Sequence, residues 1–588
     1  MSFVSRLYSF ELFSVRSSIY SFIVLLAVFI AALFFHHDLA PLEETHWDAP
    51  IYVQLSKRAA ETNLLAGYHQ HAQEIPLGPE NAHWYFTRIG HILILGEVTR
   101  LFGSTETALV VMQWLYRIFM AIGVVLCILI ASKLMNLFKS EEQDRLWWGG
   151  YLVAGVTYVL SDSYRGLQGH LLSEPPAFLV LSVFTYLLLI AFEKRSPVVG
   201  ALAGFFLFLL FFVRVDAVLP GVVFFLMIIG LLFFIRKFDA LLSISATGIV
   251  ALLFYLLYAW WFSPLVNPEI LLNYSAASKE LFPGVPLKSL FAIVIAGGLL
   301  WVGGVVGISL WRKPIVKFAL IWLGLVLLPM VIDSLNGRAV QARMVFFIAL
   351  PLIILAGEGW CVLLRCLVLQ RRVFPFIVAA SLVGALILVP YSFLMRDIRF
   401  IAANYLPAEI QRNLFISLTK KGEIRSASQL DKDPKLGLLA RPVYERWTLE
   451  YGKARRIGEY LYKSEQPAYL LWPRTSGVYQ HSLQSYIGLF RYFGKNYPLS
   501  ADIVLLRLPN TIETDSCTAQ RPTNLEPIVF CSNLSVSDLE FISRNKISLY
   551  ILGVEGYPLP EMPNEKLRTI FSLSPFALYE IEGSTLGI

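Results

Sequence analysis

Eleven apolar runs separated by short polar loops dominate the first 395 residues. They fall near 19–35, 107–132, 148–161, 174–192, 198–213, 217–235, 240–262, 289–310, 315–332, 344–364 and 374–395. An apolar helix of about 20 residues crosses the hydrocarbon core of a bilayer. Lipid offers no hydrogen bonds to the backbone, so such runs must be helical. The chain is therefore expected to be an α-helical polytopic membrane protein with about eleven transmembrane helices over residues 1–395. Several runs are short, which leaves their boundaries loose. Composition agrees: with 56% hydrophobic and 15% charged residues and a mean hydropathy of +0.61, a 588-residue chain has too little polar surface to cover a soluble globule. The net charge of +7 lies in small groups between apolar runs rather than along one stripe, which argues against a nucleic-acid partner.

Those basic groups set an orientation. Arg6 and Arg16 precede the first run, which lacks a small-residue cleavage site and reads as a retained span. Lys133, Lys139 and Arg145; Lys194 and Arg195; Arg236 and Lys237; Arg312, Lys313 and Lys317; and Arg365, Arg371 and Arg372 all fall on the side of Arg6 and Arg16. The positive-inside rule makes that side the cytoplasm. Segments 37–106, 162–173, 263–288 and 333–343, the turn around Arg214–Asp216, and everything after about 396 then face outward. Beyond 396, short β-rich runs (468–472, 502–508, 547–554) alternate with helix-like stretches such as 454–464, which predicts a soluble extracytoplasmic α/β domain over 396–588. Cys517 and Cys531 in that domain are expected to form a disulfide if the fold brings them close.

Ionisable residues at the edge of an apolar run are costly and so candidates for function. The first outward segment opens "PLEETHWDAPIYVQLSKRAAE", with Glu43, Glu44, His46 and Asp48 just past the first span. Glu43 and Glu44 read equally as solvated loop acids. Asp48 stands between Trp47 and an apolar stretch that opens an interfacial helix, where it is either a helix cap or a proton acceptor. Arg165, His170 and Glu174 follow in "SDSYRGLQGHLLSEPPAFLVL"; Glu174 suits both a helix N-terminus and the cavity that Asp48 would face. Arg214 and Asp216 interrupt an otherwise uncharged stretch from 198 to 235, where they either neutralise one another or act on a ligand. Arg338 and Arg343 lie outside against the positive-inside trend, and an arginine fork there suits a lipid phosphate.

Four segments together carry a resemblance: "HWDAPIYVQLSKRA", "SEPPAFLVLS", "GALAGFFLFLLFFVRVDAVLPG" and "RAVQARMVFFIALPLIILAGEG". In order and topology they look like the landmarks of GT-C superfamily glycosyltransferases, multispan enzymes that use polyprenyl-phosphate-linked sugars. The Trp-Asp-Ala form, with tyrosine four residues after the aspartate, is most similar to PIG-V-like mannosyltransferases. The soluble tail is more similar to protein-mannosyltransferase-like and aminoarabinose-transferase-like members. The resemblance spans roughly 15–395. It departs from the family where Ala49 replaces the frequent second acid after the catalytic aspartate.

The resemblance implies Asp48 as catalytic base and leaves the second acid open; Glu174 is a further catalytic candidate. Donor-phosphate contacts are expected from Arg338, Arg343 and Arg214, and substrate contacts from His46, Tyr52, His170 and Asp216. A sugar on a lipid phosphate already carries a stable leaving group, so one carboxylate that takes the acceptor proton is enough, and direct displacement inverts the anomeric centre. The expected partners are a polyprenyl-phosphate-linked sugar, a lipid, glycan or protein acceptor and the bilayer, with a bacterial inner membrane preferred to the endoplasmic reticulum. No cofactor is expected, no residue is assigned to a metal, and a divalent ion stays open. Two other classes remain: a membrane transporter, which would need charges at mid-membrane depth, and a non-catalytic receptor or assembly subunit, in which the tail would be the working part.

Overall fold

A computed structural model describes residues 19–34, 88–138, 145–161, 171–261, 297–335 and 346–369, helical positions at 52–53, 56–57, 59–60, 164, 167, 460 and 544, and strands at 468–471, 528–531, 548–554, 567–573 and 576–581. Among the described residues, eleven continuous α-helices follow in chain order: α1 Ile19–Phe34, α2 Ile89–Phe102, α3 Glu106–Leu137, α4 Arg145–Val159, α5 Glu174–Lys194, α6 Pro197–Val213, α7 Val218–Phe234, α8 Leu241–Trp261, α9 Leu300–Ser309, α10 Pro314–Leu335 and α11 Ala349–Leu369. All but α2 coincide with an apolar run of the sequence. The run at 374–395 lies outside the described residues. Among those described, six helices are long and apolar enough to cross a membrane: Thr107–Leu137, Glu174–Lys194, Val215–Phe234, Phe238–Trp261, Pro314–Ile332 and Phe346–Val368. Shorter apolar helices span Ser21–Phe34, Pro197–Val213 and Leu300–Ser309.

Turn chemistry explains the sharp breaks between helices. Ser196 caps α6 by accepting the Val199 amide, with Pro197 in the first turn where a missing amide hydrogen costs nothing. Arg195 and Arg236 take left-handed backbone at the ends of α5 and α7. The α3 and α5 helices run parallel: Phe178 fills the space beside Gly123, and further along both helices Lys133 bonds Glu193 at 2.8 Å. The bundle consequently has two charged ends. At the Lys133 end, Arg195 pairs with Asp239 and Lys237 lies over the Phe192 ring, so three of the basic loops meet there.

A buried acid ties α11 to α4. Glu358 of α11 accepts from Trp147 Nε1 at 3.1 Å and Tyr151 Oη at 3.3 Å on α4, and Lys313 Nζ reaches its other oxygen at 3.4 Å. Elsewhere helix pairs meet through glycine. On α6, Gly200 and Gly204 lie against the Ser243 and Thr247 carbonyls of α8, and Gly307 of α9 lies against the Leu355 carbonyl of α11. Small residues at such crossings let backbones approach where lipid provides no hydrophobic drive.

In the tail, the described strands β1 Ala468–Leu471, β2 Ile528–Cys531, β3 Ser548–Val554, β4 Leu567–Leu573 and β5 Phe576–Ile581 form one sheet in the order β2-β1-β3-β5-β4. The β2-β1-β3 part is parallel and the β3-β5-β4 part antiparallel. Two of the three β-rich runs read from sequence are strands here. The third, 502–508, lies outside the described residues, as does Cys517; Cys531 ends β2.

Gly307 and Gly324 make a matched test of close packing. A Cβ on Gly307 would collide with the Leu355 carbonyl, whereas one on Gly324 meets nothing within 4 Å. Gly307→Ala is expected to cost about 1–3 kcal/mol through overpacking, and Gly324→Ala to be neutral or to gain up to about 1 kcal/mol in helix propensity. Thermal melting of the purified protein in detergent measures both; equal shifts would count against the packing account.

Candidate active site

The opposite end of the bundle is built around Arg214. The α6 helix stops there because Arg214 is extended (φ −162°, ψ 109°), and a 3-10 turn, Val215–Ala217, leads into α7. Its side chain is 2% exposed. A bare guanidinium in such surroundings is untenable, and three groups answer it. Nη1 lies 3.0 Å from Glu174 Oε1, Nε lies 2.7 Å and Nη2 2.9 Å from the two Asp216 oxygens, and Nη1 also donates to Ser173 Oγ at 2.8 Å. Of the two Asp216 contacts, the one from Nη2 is a hydrogen bond, and the one at Nε is an ion-pair contact.

Ser173 and Glu174 reach this point because they open α5. Pro175 and Pro176 occupy its first turn, and an acid there is favoured by the helix dipole. Ser173 stands at the cap position, yet its hydroxyl makes no capping bond. It is drawn instead to two cations, accepting from Arg214 and, at 3.2 Å, from Arg88 Nε. Glu174 is 1% exposed, whereas the Asp216 side chain is 54% exposed. One carboxylate thus seals the cluster from within and the other opens toward its surroundings.

Arg88, which immediately precedes α2, was not among the residues singled out in the sequence. Nor were His91 and Tyr116. The buried His91 ring shares a hydrogen bond between Nδ1 and the Tyr116 hydroxyl of α3, 2.6 Å apart. Burial, reinforced by the Arg88 and Arg214 guanidinium groups, holds the His91 imidazole well below the usual histidine range, so it is neutral at pH 7. Tyr52 sets its ring edge-on to His91, centroids 4.6 Å apart at 87°, and Arg88 Cζ lies 5.7 Å from the Tyr52 ring. Two residues into the next turn, the Ser56 hydroxyl bonds the Val53 carbonyl and meets Thr99 of α2 at 3.4 Å. The helical residues at 52–60 are thereby pinned to α2, and through it to the Arg214 cluster.

Of the sequence candidates, the structure brings together Tyr52, Glu174, Arg214 and Asp216. Asp48, His46, His170, Arg338 and Arg343 lie outside the described residues. Phe346, three positions after Arg343, lies against the cluster, with Arg214 Cζ 5.8 Å from its ring. Arg214 is engaged by Glu174, Asp216 and Ser173. Among the described residues no group of three or more His, Cys, Asp or Glu side chains could hold a metal ion.

No protein-family model matches the chain, and no curated protein does. Solved structures do. ArnT from Cupriavidus metallidurans, bound to undecaprenyl phosphate, is 14% identical with a TM-score of 0.52, and the match covers 96% of this chain and 97% of that one. ArnT in the apo state matches over the same shares with a TM-score of 0.51. At this identity the likeness is one of fold, and it runs from end to end of both chains. The chain has the fold of ArnT.

Proposed function

We propose that this protein is a GT-C type glycosyltransferase that moves a hexose or pentose from a polyprenyl-phosphate donor to a lipid, glycan or protein acceptor at the outer face of the membrane. The observation that carries the reading is the Arg214–Glu174–Asp216–Ser173 cluster, joined through Arg88 and Tyr52 to the segment that bears Asp48, in a fold shared with a protein that binds undecaprenyl phosphate.

Asp48 is four residues before Tyr52, and four residues of chain reach at most about 14 Å. By the same measure, Arg343 lies within about 11 Å of Phe346, which touches Arg214. That reach supports a reading in which both residues serve the end of the bundle where Arg214 lies. Asp48 takes the proton of the acceptor hydroxyl as that oxygen attacks the anomeric carbon, and the centre inverts. Arg338 and Arg343 meet the charge that grows on the departing phosphate. Arg214, already engaged by two carboxylates, acts by holding Glu174 and Asp216 in place. The exposed face of Asp216, with His46, Tyr52 and His170, is suited to substrate hydroxyls.

The topology that this reading needs has the N-terminus in the cytoplasm and the tail outside. A reporter that works only in the cytoplasm, fused after Ile588, is expected to be silent; a signal from it would invert every assignment of side.

Base and scaffold separate by two readouts on purified protein. Asp48→Asn keeps the size of the side chain but cannot accept a proton, so transfer of sugar from a polyprenyl-phosphate donor should be lost with the melting temperature unchanged. Glu174→Ala removes one answer to a buried guanidinium and is expected to cost about 3–5 kcal/mol of stability, lowering the melting temperature. Turnover at the wild-type rate in Asp48→Asn would remove Asp48 as base. Arg338→Ala and Arg343→Ala are each expected to weaken donor use by about 1–3 kcal/mol, read as a raised donor KM; no change in either would move the phosphate elsewhere.

A further inference from the structure

Around α3 the side chains sort into rows. Val110, Trp114 and Ile118 form a row exposed to the surroundings of the bundle, and Met112 and Tyr116 form a buried row toward His91. Gln113 and Arg117 lie beside the exposed row, one helical turn apart on a shared stripe. They are 6% and 5% exposed. Neither Gln113 Nε2 nor Arg117 Nε has a hydrogen-bond partner, and Arg117 pairs with no carboxylate among the described residues. Its guanidinium lies over the Trp114 ring, 4.5 Å from the centroid. Two buried nitrogen donors thus go without a hydrogen bond in a single stripe, and the guanidinium is met by the Trp114 ring and by Tyr164 but by no carboxylate among the described residues.

The height of this stripe along the bundle says what could answer it. Arg117 is six residues ahead of Gly123, which meets Phe178, and Glu174 is four ahead of Phe178 on the parallel helix. Arg117 is therefore nearly level with Glu174, at about 9 Å against about 6 Å from that crossing. From Arg117 to Lys133 the helix carries no charge over about 24 Å, close to the hydrocarbon thickness of a bilayer. A membrane around α3 sets Lys133 at one headgroup level and Arg117 at the other. Below Arg117 the surface is apolar: Ile118 on α3, and Ile30 and Leu26 on α1, which packs beside it, are all exposed. Phe34 of α1 meets Trp114 edge-on at 6.3 Å and closes the outer side.

We propose that Gln113 and Arg117, walled by Trp114, bind the phosphate of an anionic bilayer phospholipid whose acyl chain lies along Ile118, Ile30 and Leu26. The phosphate supplies acceptor oxygens to both orphan donors and a negative charge to the guanidinium. A zwitterionic headgroup supplies the oxygens but no net charge, so the site discriminates between the two. This site does not depend on the glycosyl-transfer reading, because it is defined by binding alone.

The test is native mass spectrometry of the delipidated full chain with phosphatidylglycerol or phosphatidylcholine added. The wild type is expected to retain one phosphatidylglycerol several-fold better than phosphatidylcholine. Arg117→Gln should lower that retention about tenfold, the loss of a charged hydrogen bond, and Gln113→Ala by a smaller factor. The headgroup preference of the wild type needs no variant, so it stands even where Arg117→Gln fails to fold; equal retention of the two lipids overturns the proposal. So does a folded Arg117→Gln protein that holds phosphatidylglycerol as the wild type does. Undecaprenyl phosphate added in competition identifies the source: if it displaces the retained phosphatidylglycerol at equal concentration, the stripe serves the carrier lipid and the assignment to bilayer phospholipid fails.

Discussion

Burying the Arg214 guanidinium is the constraint on which the candidate active site rests. Its desolvation is repaid only by good geometry, and the bundle provides it from two separate stretches of chain: Ser173 and Glu174 at the start of α5, and Asp216 in the turn after α6. Each partner needs its helix end at one height. The cluster thereby fixes where α5, α6 and α7 begin and end relative to one another, and glycine contacts such as Gly221 of α7 against Leu207 and Leu210 of α6 set how closely their flanks approach. At the far end, Lys133–Glu193 and Arg195–Asp239 do similar work with more exposed groups.

Much of the helical frame was legible in the sequence because a bilayer imposes one rule on every span: long, apolar and nearly free of charge. Ten of the eleven runs coincide with described helices for that reason. Legibility failed at α2. With His91, Glu97 and Arg100 along it, this helix reads as part of a polar outward segment, yet it buries Ile89, Ile92, Leu95 and Val98 and packs against α3 and α6.

The site was legible in the same uneven way. Arg214 and Asp216 stood out as charges inside an apolar stretch, and Glu174 as an acid at a helix start. Their mutual neutralisation was one of two readings, and the structure shows the pairing joined by Glu174 as well. Arg88, His91 and Tyr116 carried no such signal. An arginine and a histidine in a polar loop are ordinary, and a tyrosine inside a span is too; only the tertiary fold sets Tyr116 against His91 and Tyr52. Glu358 was missed differently: one acid in an apolar run gives no hint that Trp147 and Tyr151, more than two hundred positions earlier in the chain, surround it.

The order of the Arg214 partners along the chain bears on biogenesis. Spans leave the ribosome from the N-terminus onward, so Ser173 and Glu174 are synthesised before the long apolar stretch that carries Arg214. When that arginine reaches the membrane, its inter-helix partners are already made, and Asp216 arrives two residues behind it. The costly charge thus never has to wait in lipid for a counter-ion still to be translated. Reversing the order of these segments, as a circular permutation would, could leave the folded contacts unchanged and still strand Arg214 during insertion.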